Sequence, residues 1–295
     1  MIPRSLGCLL ACAMAAAQDE AKPVRILWVG SSSTYYHNQP KVLADWLGRF
    51  AGLPARSEIA GRSGTGVHVY LRPGFKAEYG LEPGESLLEK IRRERYDFVV
   101  LQVPAEFIHG PEGEEHDRSL DVYCRTVREA GGRPVFYEMG WGRDEQAAEG
   151  RRKILAAARR NRVTRFAPCS SAWERVRRER PDLELQNLPD RAHPGTLGTY
   201  LNLCCFFCAL TGREPPGPPA TIRIWPRLGE DEKRAWEGKL KTAVFDDYDA
   251  ALPGWMKRLV LASKEERIPD DVAGALRGVA VQETEAFRKE LGNGD

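Results

Sequence analysis

Arg25-Ile26-Leu27-Trp28-Val29-Gly30-Ser31-Ser32-Ser33-Thr34 is the stretch that decides the fold. Arg25 to Val29 reads as a buried strand, and it runs straight into a glycine and three serines. A strand that ends in a small-residue turn and then meets a helical pattern is the opening unit of an α/β domain. The helix follows from Pro40, with Val42, Leu43, Trp46, Leu47 and Phe50 on one face.

Outward from this unit, strand and helix patterns alternate. Strands are expected over 57–60, 97–103, 134–139 and 164–167. Asp97 to Val103 is a continuous apolar run, typical of a sheet covered on both faces. Helices are expected over 85–95, 117–130 (ended by Gly131-Gly132), 144–160, 171–180 and 195–210, the last stopping at Gly212. Alternation of this kind implies a parallel sheet with right-handed crossovers. The expected fold is a three-layer α/β/α sandwich with a central parallel sheet of about five strands, flavodoxin-like in style. Pro215-Pro216-Gly217-Pro218-Pro219 then breaks regular structure. Helical patterns return at 232–244, 253–264 and 269–289. The chain divides into a core over 22–212, an insertion over 213–267 and a C-terminal helix over 268–290 that packs on the core.

Far from the first strand lies Asp190-Arg191-Ala192-His193-Pro194. A serine hydroxyl is a poor nucleophile until a histidine takes its proton, and that histidine needs an acid to orient it. The spacing of three within one tight turn puts the Asp190 carboxylate beside the His193 imidazole. Asp190 then accepts a hydrogen bond from one ring nitrogen while the other faces the serine. From the residues alone, any of the three adjacent serines fits this scheme. A serine-rich helix start and a capping aspartate are the structural alternatives.

Val29-Gly30-Ser31-Ser32-Ser33-Thr34-Tyr35-Tyr36-His37-Asn38-Gln39-Pro40 resembles the first conserved block of the SGNH/GDSL hydrolases. In that family a Gly-Asp-Ser or Gly-Asn-Ser ends the first strand. Asp190-Arg191-Ala192-His193-Pro194, followed by Gly198-Thr199-Tyr200-Leu201 and Leu210-Thr211-Gly212, is similar to the family's last block. The resemblance implies Ser32 as nucleophile, His193 as general base and Asp190 as its acid. It also implies an oxyanion hole from the Ser32 N–H, a glycine N–H (Gly61, with Gly64 as the second choice) and an amide side chain. The usual Gly-x-Asn-Asp of the third block is replaced by Leu101-Gln102-Val103-Pro104, so Gln102 is the amide the resemblance offers. It implies an esterase acting on a small acyl ester, such as an O-acetyl group, of a small molecule or carbohydrate. A catalytically inactive glycan-binding relative and an O-acyltransferase are the other readings.

Composition narrows the rest. The net charge is +2, and the arginine pairs sit in helical stretches beside acidic residues, so no nucleic-acid partner is expected. Arg4, the apolar run Leu6 to Ala17 and Ala15-Ala16-Ala17 before Gln18 read as an export signal over 1–17. Leu9-Leu10-Ala11-Cys12 resembles a lipoprotein cleavage box, but the short apolar run before it weighs against a lipid anchor. The expected location is periplasmic or extracellular, without a membrane span. Five cysteines follow the signal, and Cys204, Cys205 and Cys208 lie in a run that reads as a buried helix. Histidines 37, 68, 109 and 116 show no metal-ligand spacing, so neither a metal nor a cofactor is expected. His68 is placed near the cleft, Glu112 to Asp117 in a solvated turn, and Trp141 at the rim.

Overall fold

A computed structural model describes residues 22–104, 112–140, 147–187, 191–217, 220–226 and 230–292. The expected signal over 1–17, Cys12, His109, Trp141 and Asp190 lie outside them.

Five strands form one parallel sheet: β1 (Val24–Gly30), β2 (Ala55–Gly61), β3 (Phe98–Pro104), β4 (Arg133–Met139) and β5 (Arg165–Ala167). Their order is β2-β1-β3-β4-β5. This is the doubly wound arrangement the alternation predicts, and the order reverses between β1 and β3. Neighbours run in step, with Trp28 beside Ile59 on one side and Val100 on the other.

Side chains alternate across the pleat, so a strand with no polar alternation feeds two cores at once. Ile26 and Trp28 enter one cluster with Leu43 and Leu47. Leu27 and Val29 enter the other with Leu87, Ile91 and Leu120. On the first face lie α2 (Gln39–Ala51), α6 (Cys169–Glu179), α7 (Thr196–Thr211) and most of α11 (Asp270–Glu290). On the second lie α3 (Leu87–Glu94), α4 (Gly113–Glu129) and α5 (Ala147–Arg160). Helix α1 (Ser32–Tyr35) is one turn long.

Helix α7 is apolar all round because it touches α2, α6, β5 and α11 at once. Its Cys204, Cys205 and Cys208 are buried free thiols, as the hydrophobic run suggests. No cysteine among the described residues forms a disulfide.

The segment after Gly212 holds β6 (Ala220–Ile224), α8 (Glu230–Leu240), α9 (Asp247–Ala251), α10 (Gly254–Ala262) and β7 (Lys264–Ile268). Strands β6 and β7 pair antiparallel into a ribbon, Thr221 opposite Arg267. The helix expected to run through Lys264 therefore stops at Ala262, and Lys264 starts a strand instead. Helix α4 starts at Gly113, four residues before its expected beginning, which turns the acidic loop into a first turn. No helix among the described residues is long and apolar enough to cross a membrane.

Candidate active site

Strand β1 delivers Ser31 to Ser33 at the carboxyl edge of the sheet, beside the reversal of strand order where α/β folds open a crevice. The three serines are not equivalent. Ser31 is 7% exposed and Ser33 5%, whereas Ser32 is only half-buried and starts α1.

Gln102 of β3 holds the turn from behind. Its Oε1 accepts from the Ser31 backbone N–H and from Thr34 Oγ1 at 2.7 Å, and its Nε2 donates to Ser31 Oγ at 3.0 Å. The two strands can come this close only because residue 30 is glycine. A Cβ there would stand 2.2 Å from Gln102 Oε1.

The partner arrives from 161 positions away. His193 Nε2 lies 2.9 Å from Ser32 Oγ. Its loop is fixed to the chain on both sides. Asn187 N–H donates to the His193 carbonyl at 2.8 Å, and Gly195 N–H donates to the Leu185 carbonyl at 2.7 Å. Tyr36 stacks on the His193 ring at 4.1 Å with 9° between the planes. The Tyr36 hydroxyl accepts from Asn187 Nδ2 at 2.8 Å, so the same tyrosine grips both the imidazole and the loop that carries it. A hydroxyl and an imidazole in this contact, reachable from solvent, can exchange a proton with each other and then with an incoming group.

No protein-family model and no curated protein matches the sequence. Among solved structures, the chain is similar to a candidate SGNH hydrolase from Slackia heliotrinireducens. Identity is 20%, the match covers 64% of this chain and 100% of that one, and the TM-score is 0.50. The fold is that of the SGNH hydrolases. Looser likenesses are TesA (16% identity, 64% of this chain and 98% of that one, TM-score 0.47) and Axe2, an acetylxylan esterase from Geobacillus stearothermophilus (14%, 65% and 95%, 0.48).

On the SGNH frame, two of the expected oxyanion donors are otherwise engaged. Gly61 N–H donates to the Tyr79 carbonyl at 3.2 Å, in an isolated antiparallel bridge, so it does not face the nucleophile. Gly61 is glycine for another reason: a Cβ there would meet the Tyr79 ring at 2.3 Å. Gln102 is 1% exposed, and its hydrogen bonds go to Ser31 and Thr34, which makes it a support for the turn rather than a donor in front of it.

The Ser32 and Gly64 N–H groups have no partner among the described residues. Ser32 N–H sits at the first position of α1, where a helix leaves its donors unsatisfied. Gly64 N–H lies in the exposed loop after β2, at φ +64°. That loop is tied to α1 through Tyr35 and Ser63, whose hydroxyls are 2.8 Å apart.

His68 is fully buried with its Nε2 2.7 Å from Glu112 Oε2. His68, Glu112 and Glu115 could together face a metal ion, but the Arg72 guanidinium bridges the two carboxylates at 2.7 Å each. Arg72 holds both carboxyls below their usual range. Glu138, near the end of β4, is buried and accepts from Ser171 N–H at 3.0 Å and Ser171 Oγ at 3.1 Å. Burial pushes its carboxyl up to about 7 against those two bonds. Tyr36 and Asn187 are site residues that the sequence reading did not single out; Tyr36 lies within the first block, where the aromatic pair Tyr35-Tyr36 right after the serines is the signal that could have found it.

Proposed function

We propose that the protein is a serine esterase that forms an acyl-enzyme on Ser32. The observation that carries this reading is the 2.9 Å contact between Ser32 Oγ and His193 Nε2 at the carboxyl edge of the sheet. The half-buried position of Ser32 beside two buried serines supports it as the nucleophile.

In this scheme His193 Nε2 takes the Ser32 proton as Oγ bonds to the ester carbonyl carbon. Negative charge moves to the carbonyl oxygen, where the Ser32 and Gly64 N–H groups serve as donors. The tetrahedral adduct then breaks its bond to the alcohol oxygen, which leaves with the proton from His193. Water enters, gives a proton to His193 and attacks the acyl carbon. Collapse returns that proton to Ser32 and releases the acid. Asp190, three residues before His193, is the acid that orients the ring. Tyr36 restricts ring tilt, so Nε2 keeps its direction toward Ser32. No step requires a cofactor.

The substrate in this reading is a small acyl ester, such as an O-acetyl group on a carbohydrate, met outside the cytoplasm after export. The test is hydrolysis of p-nitrophenyl acetate by the wild type and by Ser32→Ala. Turnover by the wild type alone is expected. Equal rates for the two proteins remove the proposal.

A further inference from the structure

Helix α2 and the β6–β7 ribbon enclose a cleft of about 640 Å³, a size ordinary for small-molecule sites. One wall is aromatic. Trp46 and Phe50 lie one helical turn apart on α2, and Trp46 packs edge-on against Phe50 at 6.2 Å and against Tyr200 of α7 at 5.8 Å. Phe50 stays 43% exposed and presents part of its ring to the cleft.

The charged lining is balanced. Lys41, Arg49 and Arg223 stand against Asp45, Asp249 and Glu265. Lys41 pairs with Asp249 and with Asp246 beyond the lining, and Arg223 lies 3.7 Å from Glu265. Arg49 lies over the Phe50 ring at 5.0 Å. A site for an anion or a cation would show an excess of one sign. Charges of both signs beside aromatic faces instead offer many hydrogen-bond donors and acceptors. That combination suits a ligand with apolar C–H faces and a rim of hydroxyls.

One end of the cleft approaches the candidate active site. His37 lines it, and the His37 ring is 4.5 Å from Tyr36, the ring stacked on His193. Trp225 closes the same end: its backbone N–H donates to His37 Nδ1 at 2.8 Å, and its ring is 5.7 Å from Tyr36. His37 and Asn38 both hold left-handed backbone, φ 53° and 59°. Two such residues in a row are costly and need support from their surroundings. Here the turn lets Tyr36 serve His193 while its neighbour His37 serves the cleft.

We propose that this cleft binds a neutral oligosaccharide, the alcohol side of the ester whose acyl group is processed at Ser32. The assignment of the acyl group to Ser32 rests on the esterase reading; the binding site does not. The β6–β7 ribbon, within the segment over 213–267, then has a job: it builds the second wall of the glycan site.

Calorimetric titration with cellotetraose, xylotetraose, mannotetraose and maltotetraose tests this. The wild type is expected to bind at least one of them with millimolar or tighter affinity. Trp46→Ala and, separately, Glu265→Gln on the ribbon are expected to weaken it at least tenfold with the far-UV circular dichroism retained. Trp255→Ala, an exposed tryptophan outside the cleft, is expected to bind as the wild type does. No binding by the wild type, or binding that both cleft variants keep, overturns the proposal. Sugar binding without p-nitrophenyl acetate hydrolysis leaves the cleft standing and removes the esterase reading. Hydrolysis without sugar binding does the reverse.

Discussion

Two serines at the carboxyl edge of the same sheet each share a hydrogen bond with a titratable side chain. Ser32 Oγ meets His193 Nε2 at 2.9 Å, and Ser171 Oγ donates to Glu138 at 3.1 Å. The pairs look alike and differ in what surrounds them. Ser171 and Glu138 are 6% and 2% exposed, and the Ser171 N–H is itself bonded to the carboxylate. Ser32 is partly open to solvent, its N–H is unpartnered among the described residues, and its neighbour is a base that can both take and return a proton. In the esterase reading proposed above, access and a spare donor, rather than the hydroxyl–acceptor contact, set Ser32 apart from Ser171.

The largest effect that tests this contrast is on turnover. Ser32→Ala is expected to lower kcat/KM for p-nitrophenyl acetate by about 10⁴-fold or more. Ser171→Ala is expected to stay near the wild-type rate. A loss confined to Ser171→Ala, or to Ser31→Ala, would reverse the assignment.

Next comes the ring that steadies the base. Tyr36→Leu removes the stacking on His193 and the bond to Asn187. It is expected to lower kcat by about 10–10²-fold with little change in KM, as misplacement of a catalytic group does. A wild-type kcat would show that the loop alone positions His193.

The buried pair carries a pH signature. Glu138 titrates at about 7 in the folded chain, against 4.5 for an ordinary glutamate. The folded state therefore keeps a proton that the unfolded state has released. Its contribution to stability is full below about pH 4.5, falls as the pH rises through 7, and is then lost. Denaturant titrations of the wild type are expected to show about 2 kcal/mol of this loss between pH 5 and pH 8. Glu138→Gln keeps an acceptor for Ser171 and cannot ionise, so its curve is expected to be flatter. Parallel curves for the two proteins would contradict a buried, proton-holding Glu138.

The smallest effect is the hydrogen bond itself. Ser171→Ala leaves Glu138 Oε1 without its hydroxyl donor and is expected to cost about 1 kcal/mol at pH 5. An unchanged denaturation midpoint there would mean the bond adds nothing.

The sheet is legible in the sequence because its strands are buried on both faces. Runs such as Val99 to Leu101 carry no polar interruption a helix surface would need. Ser32 and His193 are legible because short motifs flank them. The engagement of Gly61 is not, since its N–H is taken by Tyr79, which a long irregular loop brings back across the strand end. Nothing local in Gly61 announces that bridge. The ribbon escapes for a similar reason. Lys264-Glu265-Glu266-Arg267 are good helix formers by propensity, yet pairing with β6 makes them a strand whose charged side chains stay exposed.

Labelling with a fluorophosphonate probe, followed by peptide mapping, tests the central claim most directly. A Ser32 nucleophile activated by His193 predicts one adduct, on Ser32, absent from Ser32→Ala and strongly reduced in His193→Ala. An adduct on Ser31 or Ser171, or ester hydrolysis that persists in Ser32→Ala, would contradict it.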